Sequence, residues 1–185
     1  MRYNDEYIRK LYYESIFNLK HIEENIHLIL YTTLCFFIPF ILGHPQWLVG
    51  TLVNAALILG ATYLRGYKLL PIILVPSIGV LTAGVIFGSF TWYLVYMIPA
   101  VWIGNAIFAY GYRGMHLWKR NYVLSILAPA VVKSLFLFSV AFILVKLSVL
   151  PVMFLTVMGV FQLMTAVLGG IVAIGVIETR KKISV

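Results

Sequence analysis

Lys133 is the only charged residue in the apolar run Tyr122–Val145, and it sits twelve residues past Asn121 and thirteen before Lys146. At 1.5 Å of rise per residue, either end of a helix there lies about 18 Å away. A lysine stem spans only about 6 Å, so the ammonium cannot snorkel out of the run. No carboxylate is placed to neutralise it, because Asp5, Glu6, Glu14, Glu23, Glu24 and Glu178 all fall in the two tails. Three outcomes are open: a lysine left uncharged by desolvation, one satisfied by amide and carbonyl oxygens, or one that holds an anionic ligand.

The same helical arithmetic puts Asn54, Gln162 and Thr165 at a similar depth in their own runs, with Asn105 somewhat nearer the other end of its run. Amide, hydroxyl and ammonium groups from four helices would share one slab of an otherwise apolar bundle. Such a slab is either a ligand pocket or a buried structural network, and spacing alone leaves both open. Trp47, Trp92, Tyr93 and Tyr96 flank the short uncharged turns Gly43–Gln46 and Gly88–Thr91. They read as an interfacial aromatic belt or as a cap that stacks on a ligand.

Other chemistry is missing from the sequence. His21, His27, His44 and His116 make no metal-binding spacing, and Cys35 is the only cysteine. There is no G-x-S-x-G elbow, no glycine-rich phosphate loop and no pair of carboxylates inside the apolar runs. The expectation is a non-enzyme with no cofactor that cannot hydrolyse ATP by itself.

The elements that must position these groups follow from composition. Of 185 residues, 62% are hydrophobic and 11% charged, with a mean hydropathy of +0.98. A soluble domain is nearer 45–50% apolar and about 25% charged, so an all-α integral membrane protein is expected. Six apolar runs are bounded by charge, Gly or Pro, at Ile26–Leu42, Trp47–Leu64, Leu69–Phe87, Trp92–Tyr112, Tyr122–Val145 and Val149–Ile177. None alternates with period two, so they predict six transmembrane helices in one bundle rather than barrel strands.

Ahead of them, Ile8, Leu11, Tyr12, Ile16, Leu19, Ile22 and Ile26 recur at spacings of three and four. That pattern predicts an amphipathic helix over residues 1–25, lying along the membrane surface or leading straight into the first span. The bundle then occupies residues 26–177, and a basic tail residues 178–185.

Twelve of the 14 Lys and Arg residues flank one side of the runs, from Arg2 through Arg65, Lys68, Arg113, Lys119 and Arg120 to Lys182. Only Lys146 flanks the other. That asymmetry places both termini in the cytoplasm of a multi-pass protein of the cell membrane. The net charge of +8 is thereby spread along a membrane edge, which argues against nucleic acid as a partner. Small-x-x-x-small pairs such as Ala56/Gly60 and Ala166/Gly170 let helices approach closely, within the bundle or against an external partner.

Four stretches carry a resemblance: Leu52–Leu57, Phe87–Thr91 leading to Met97–Pro99 and Gly104-Asn105, Val132–Phe136, and Phe161–Gly170. In their order, together with six expected spans and a small size, the chain resembles the substrate-binding S components of energy-coupling factor (ECF) transporters, within an uncharacterised subgroup. The resemblance covers most of the chain from the second span onward. It implies a protein that captures a vitamin, a vitamin precursor or a metal ion at the outer face, between the outer halves of the helices. It also implies a transmembrane coupling subunit and cytoplasmic ATPases as partners. Lys133, Asn54, Asn105, Gln162, Thr165, Trp47, Trp92 and Tyr96 would be the substrate-binding set, and Ala56, Gly60, Ala166 and Gly170 the partner-docking set. The first span departs from the family pattern, with no Ala or Gly before Gly43 and no His or Cys cluster for a metal. A structural or assembly subunit with a buried polar network is the alternative, and a stand-alone secondary transporter a third.

Overall fold

The computed structural model describes residues 3–118 and 121–183, with side chains described from Lys20 onward. Among these residues the chain is helical, with no strand. Six helical stretches are long and apolar enough to cross a membrane, at Lys20–Leu42, Gln46–Tyr63, Gly66–Ala83, Gly88–Leu117, Tyr122–Lys146 and Met153–Ile183.

Helix α1 (Tyr3–Leu42) runs unbroken from the amphipathic segment into the first apolar run. No Gly or Pro interrupts the sequence before Pro39, so nothing stops the helix where polarity changes. Of the two expected courses for the N-terminal segment, the helix leading straight into the span is the one adopted. The apolar face of residues 8–19 lies outside the described side chains, as do Arg2, Lys119, Arg120 and the last two residues of the basic tail.

Gly43, in the left-handed region at φ 55°, ends α1, and α2 (Gln46–Tyr63) begins three residues later. A 3-10 turn over Gly66–Leu69 leads into α3 (Leu70–Ala83). The third apolar run was expected to reach Phe87. The helix stops at Ala83 because Gly84 takes φ 70° and its N–H caps the Val80 carbonyl at 3.3 Å. A second 3-10 segment, Gly88–Tyr93, precedes α4 (Leu94–Leu117). Asn121 caps α5 (Tyr122–Lys146), its side chain accepting from the Leu124 N–H at 3.0 Å. The last stretch is composite, with one turn of α6 (Met153–Thr156), a π-helical segment over Val157–Phe161 and then α7 (Gln162–Ile183).

Helix α2 forms the centre, with 61% of its span buried against 17% for that of α1. It packs on α7, α1 and α4, while α4 lies along α5 and α3 bridges α1 and α4. Glycines set the closest approaches. A Cβ on Gly169 would sit 2.6 Å from the Thr51 carbonyl oxygen, and one on Gly50 would sit 2.9 Å from the Thr165 side chain. The two glycines thus draw α7 against α2 at the level of Asn54.

Two apolar clusters fill the interior. One holds Leu57, Ile58, Phe108, Ala130 and Ala166; the other holds Met97, Leu137, Phe154 and Met158. Along α4 the switch between clusters falls around Asn105, along α5 around Lys133, and on the last stretch around Gln162 and Thr165. The polar groups therefore form a layer between two dry ones.

At the end of the bundle that carries the tails, α1 is latched to the 64–68 connection and to α7. The Glu24 carboxylate accepts from the Arg65 N–H at 2.6 Å and pairs with Lys68 at 2.9 Å, and Glu23 pairs with Arg180. The guanidinium of Arg113 on α4 donates to the Ala61 carbonyl at 2.8 Å and to that of Leu64. We call this the basic end, and the opposite one, with the 43–45 and 84–93 turns, the aromatic end.

Candidate functional site: a polar cavity between two apolar layers

Lys133 is 2% exposed and its ammonium donates to the Asn54 Oδ1 at 2.7 Å. The Nδ2 of Asn54 donates to the Gly50 carbonyl at 2.9 Å and to the Thr165 hydroxyl at 3.2 Å. Every hydrogen-bonding group of the Asn54 side chain is thus engaged, and the amide is held in one orientation. The close approach at Gly50 and Gly169 is what brings the Thr165 hydroxyl within its reach. Below the ammonium lies the ring of Phe108, 5.3 Å from Nζ to centroid. A ring face attracts a cation, and more strongly in a desolvated setting. No ion pair among the described residues includes Lys133.

This cluster opens onto a cavity of about 90 Å³ lined by all five polar residues expected from the sequence: Lys133, Asn54, Asn105, Gln162 and Thr165. Asn105 is fixed from the α3 side, its Nδ2 donating to the Ile73 carbonyl at 3.1 Å. One residue further on, the Leu74 carbonyl accepts from Trp102 Nε1 at 3.0 Å, and that indole also donates to Ser77 at 2.8 Å. Pro76 interrupts the backbone ladder of α3 here. Side chains of α4 thus reach the Ile73 and Leu74 carbonyls in the turn before Pro76. The Gln162 side chain lines the cavity and makes no hydrogen bond among the described residues.

The wall toward the aromatic end is apolar, with Ile86, Phe87, Leu94 and Val157. Phe87 packs on Phe154 at 5.8 Å between centroids, and Tyr93 on the same ring at 6.5 Å. Phe87 thus lines the cavity on that side, with Phe154 and Tyr93 packed behind it. The turn carrying Phe87 is tied down by the Thr91 hydroxyl, which donates toward the Gly88 carbonyl at 2.8 Å and accepts from the Phe87 N–H at 3.2 Å.

Two sequence expectations need correction. Trp47, Trp92 and Tyr96 are 44%, 72% and 58% exposed and none lines the cavity. Their side chains point outward from the helix ends, so they do not cap the polar layer. Ala56, Gly60, Ala166 and Gly170 are buried inside the bundle and are not presented to an external partner. A Cβ on Gly60 would meet Ile72 at 2.8 Å and one on Gly170 would meet Ile126 at 2.6 Å. These small residues serve helix packing within the chain.

Sequence reasoning missed Phe108, Phe87 and the π-helical segment. Phe108 follows Asn105 by three residues and so shares its face, a signal that was present but is common to many aromatic residues. The π segment has no sequence signature beyond its position. It lines the cavity with Val157, Met158 and Phe161, and its Gly159 carbonyl accepts from Ser134 at 2.7 Å, on the helix that carries Lys133. Such bulges are frequent at functional sites.

Set against family models, curated proteins and solved structures, the chain matches none of them. Among the described residues no three His, Cys, Asp or Glu side chains come together to hold a metal ion.

Proposed function

We propose that the chain is a membrane-embedded binding subunit of an ECF-type importer, with both termini in the cytoplasm of a multi-pass cell-membrane protein. It captures a small anionic or zwitterionic, vitamin-like solute that enters from the aromatic end, which faces outward. The observation that carries this reading is the convergence of five polar side chains from four helices on one cavity around an ammonium with no carboxylate partner. A buried cation in that setting is costly, about 2.5–3.5 kcal/mol at the centre of a span. A carboxylate or similar group on a solute would offset it. The Gln162 amide, with no protein partner among the described residues, supplies donors and an acceptor for the solute's remaining polar groups.

Transport in this reading needs a coupling subunit and cytoplasmic ATPases, because no loop of the chain resembles a nucleotide-binding one. Docking would use outward faces, since the small residues are occupied within the bundle. Uptake of the solute by the isolated chain in ATP-free liposomes would refute that dependence.

A second reading, a structural or assembly subunit, has its own supporting observation. The ammonium already has Asn54 at 2.7 Å and the Phe108 ring at 5.3 Å. Native mass spectrometry of the gently solubilised protein separates the two. A copurified small molecule that is lost in Lys133→Met supports binding; a bare wild-type protein in every preparation supports the network.

A further inference from the structure

A larger cavity, about 740 Å³, opens at the basic end and shares no lining residue with the Lys133 cavity. Its walls come from α1, the end of α2, the 64–68 connection, the ends of α4 and α5 that meet there, and the last turns of α7. Five cationic residues line it: Lys20, Arg65, Lys68, Arg180 and Lys181. Against them stand two lining carboxylates, Glu23 and Glu24, and Lys181 is paired at 2.7 Å with a third just outside the lining, Glu178, so five cations face three carboxylates for a net +2 before any histidine is protonated. Both lining carboxylates are already engaged, Glu24 with Lys68 and Glu23 with Arg180. The side chains of Lys20 and Arg65 make no hydrogen bond or ion pair among the described residues.

The remaining wall is aromatic. His27 stacks between Tyr31 and Tyr63 at 5.3 and 4.9 Å, and His116 stacks between Tyr112 and Tyr122 at 5.7 and 5.8 Å. From α7, the Arg180 guanidinium covers the Tyr63 ring at 4.7 Å and the Lys181 ammonium covers that of Tyr122 at 5.6 Å. Two cations thus lie over stacked rings from four other helices, and each is also paired with a carboxylate, Arg180 with Glu23 and Lys181 with Glu178.

Tyr112 is 1% exposed, and its hydroxyl lies against Thr62. One buried polar atom of a lining residue, His27 Nδ1, has no hydrogen-bond partner. The His27 Nε2 lies 2.7 Å from Arg180; a guanidinium only donates, so Nε2 accepts and the proton of the neutral ring is on Nδ1. Buried polar groups are nearly always paired in native proteins. The His27 Nδ1–H lies just beneath the cavity wall without an acceptor, beside the Arg180 guanidinium.

We propose that this cavity is a second binding site and that its ligand is a phosphate ester. A phosphate monoester presents three strong acceptor oxygens and a charge of about −1.5 to −2, and a phosphodiester two such oxygens and a single negative charge; the tetrahedral group suits cations converging from several sides better than one planar carboxylate does. The cavity's size is in the range that holds a small organic molecule. A soluble phosphorylated metabolite can enter through the open end, and so can the headgroup of an anionic phospholipid, for which basic pockets between helices are a recurring receptor. The site stands apart from the function proposed for the Lys133 cavity.

The test uses the full-length protein. In non-ionic detergent, inorganic phosphate and glycerol phosphate are titrated while the thermal midpoint is followed, with acetate at matched ionic strength as control. In parallel, nanodiscs of phosphatidylcholine with and without phosphatidylglycerol are examined by native mass spectrometry for retained lipid. A midpoint that rises with phosphate or glycerol phosphate but not with acetate supports the site with a soluble source. Retention of phosphatidylglycerol at fixed stoichiometry supports it with a lipid source. In either case Lys20→Gln/Arg65→Gln weakens binding more than tenfold without lowering the midpoint of the unliganded protein. Lys133→Met leaves this binding unchanged. Absence of both signals, equal stabilisation by acetate, or wild-type binding by the double variant overturns the proposal.

Discussion

Asn54 orients Lys133: one amide oxygen accepts from the ammonium at 2.7 Å while the amide nitrogen is held by the Gly50 carbonyl at 2.9 Å and the Thr165 hydroxyl at 3.2 Å. The asparagine therefore ties α2, α5 and α7 together at the level of the cavity. A charge that no carboxylate offsets is kept in place by a neutral group that cannot turn away.

Replacing Asn54 with alanine leaves the ammonium buried without its acceptor. The expected cost is about 1–3 kcal/mol, read as a lower thermal midpoint in detergent. The double variant Asn54→Ala/Lys133→Met should recover part of that loss, because the charge left stranded by the first change is removed by the second. Coupling between groups in contact is typically about 0.5–3 kcal/mol. Strict additivity of the two single changes would show that the 2.7 Å contact has no energetic role.

Lys133→Met alone should give a protein at least as stable as the wild type, since an apolar side chain of similar length fills the same space without a buried charge. Affinity for the copurified solute should fall more than tenfold, a difference of about 1.4 kcal/mol. Calorimetric titration of wild type and variant measures it. An unchanged dissociation constant would place the solute elsewhere.

Gly169→Ala should destabilise the protein by about 1–3 kcal/mol, because the added methyl meets Thr51 backbone oxygen at 2.6 Å and the Asn54 Cβ at 2.7 Å. The clash pushes α7 from α2 and parts Thr165 from Asn54, so solute binding should weaken as well. Gly175→Ala, on the same helix with nothing within 4 Å of the new methyl, is the control. It should be neutral or slightly stabilising, given the better helix propensity of alanine.

Cys35 is fully buried, so the wild type gives little background with thiol reagents. A cysteine added after Val185 should stay unlabelled by an impermeant maleimide in intact cells and react once the cells are opened. His44→Cys, at an exposed position in the first turn, should label in intact cells. The reverse pattern would invert the topology and put the Lys133 cavity on the cytoplasmic side.

Depth arithmetic made the polar layer readable in advance. Helical rise fixes how far Lys133, Asn54, Asn105, Gln162 and Thr165 stand from the ends of their runs, and groups at equal depth in a bundle are brought together by packing. What depth does not give is azimuth. Trp47, Trp92 and Tyr96 lie close in height to the cavity's aromatic rim yet face outward, while Phe87 and Phe154 face inward. The same limit applies to the small residues. An x-x-x spacing shows that Ala56 and Gly60 share a face of α2, and only the packing shows that this face is turned toward the bundle's own interior. Helix ends were misread where backbone rather than polarity decided them. Gly84 closes α3 after Ala83, four residues before its apolar run ends at Phe87, whereas α7 continues to Ile183 through a charged tail that contains no breaker.

The π-helical turn at Val157–Phe161 makes the length of the chain, and not only its side chains, a determinant of the site. Each residue of an α-helix advances about 100° around the axis. Deleting one residue from this turn and restoring α geometry would rotate Gln162 and Thr165 by about that angle relative to Phe154, or turn Phe154 away from Phe87 if α7 keeps its seat on α2. The segment is thus a phase adjuster between the single turn that seats Phe154 and the long helix α7. Single-residue insertions and deletions tolerated elsewhere in the loops would be expected to abolish the cavity here, with no change in composition.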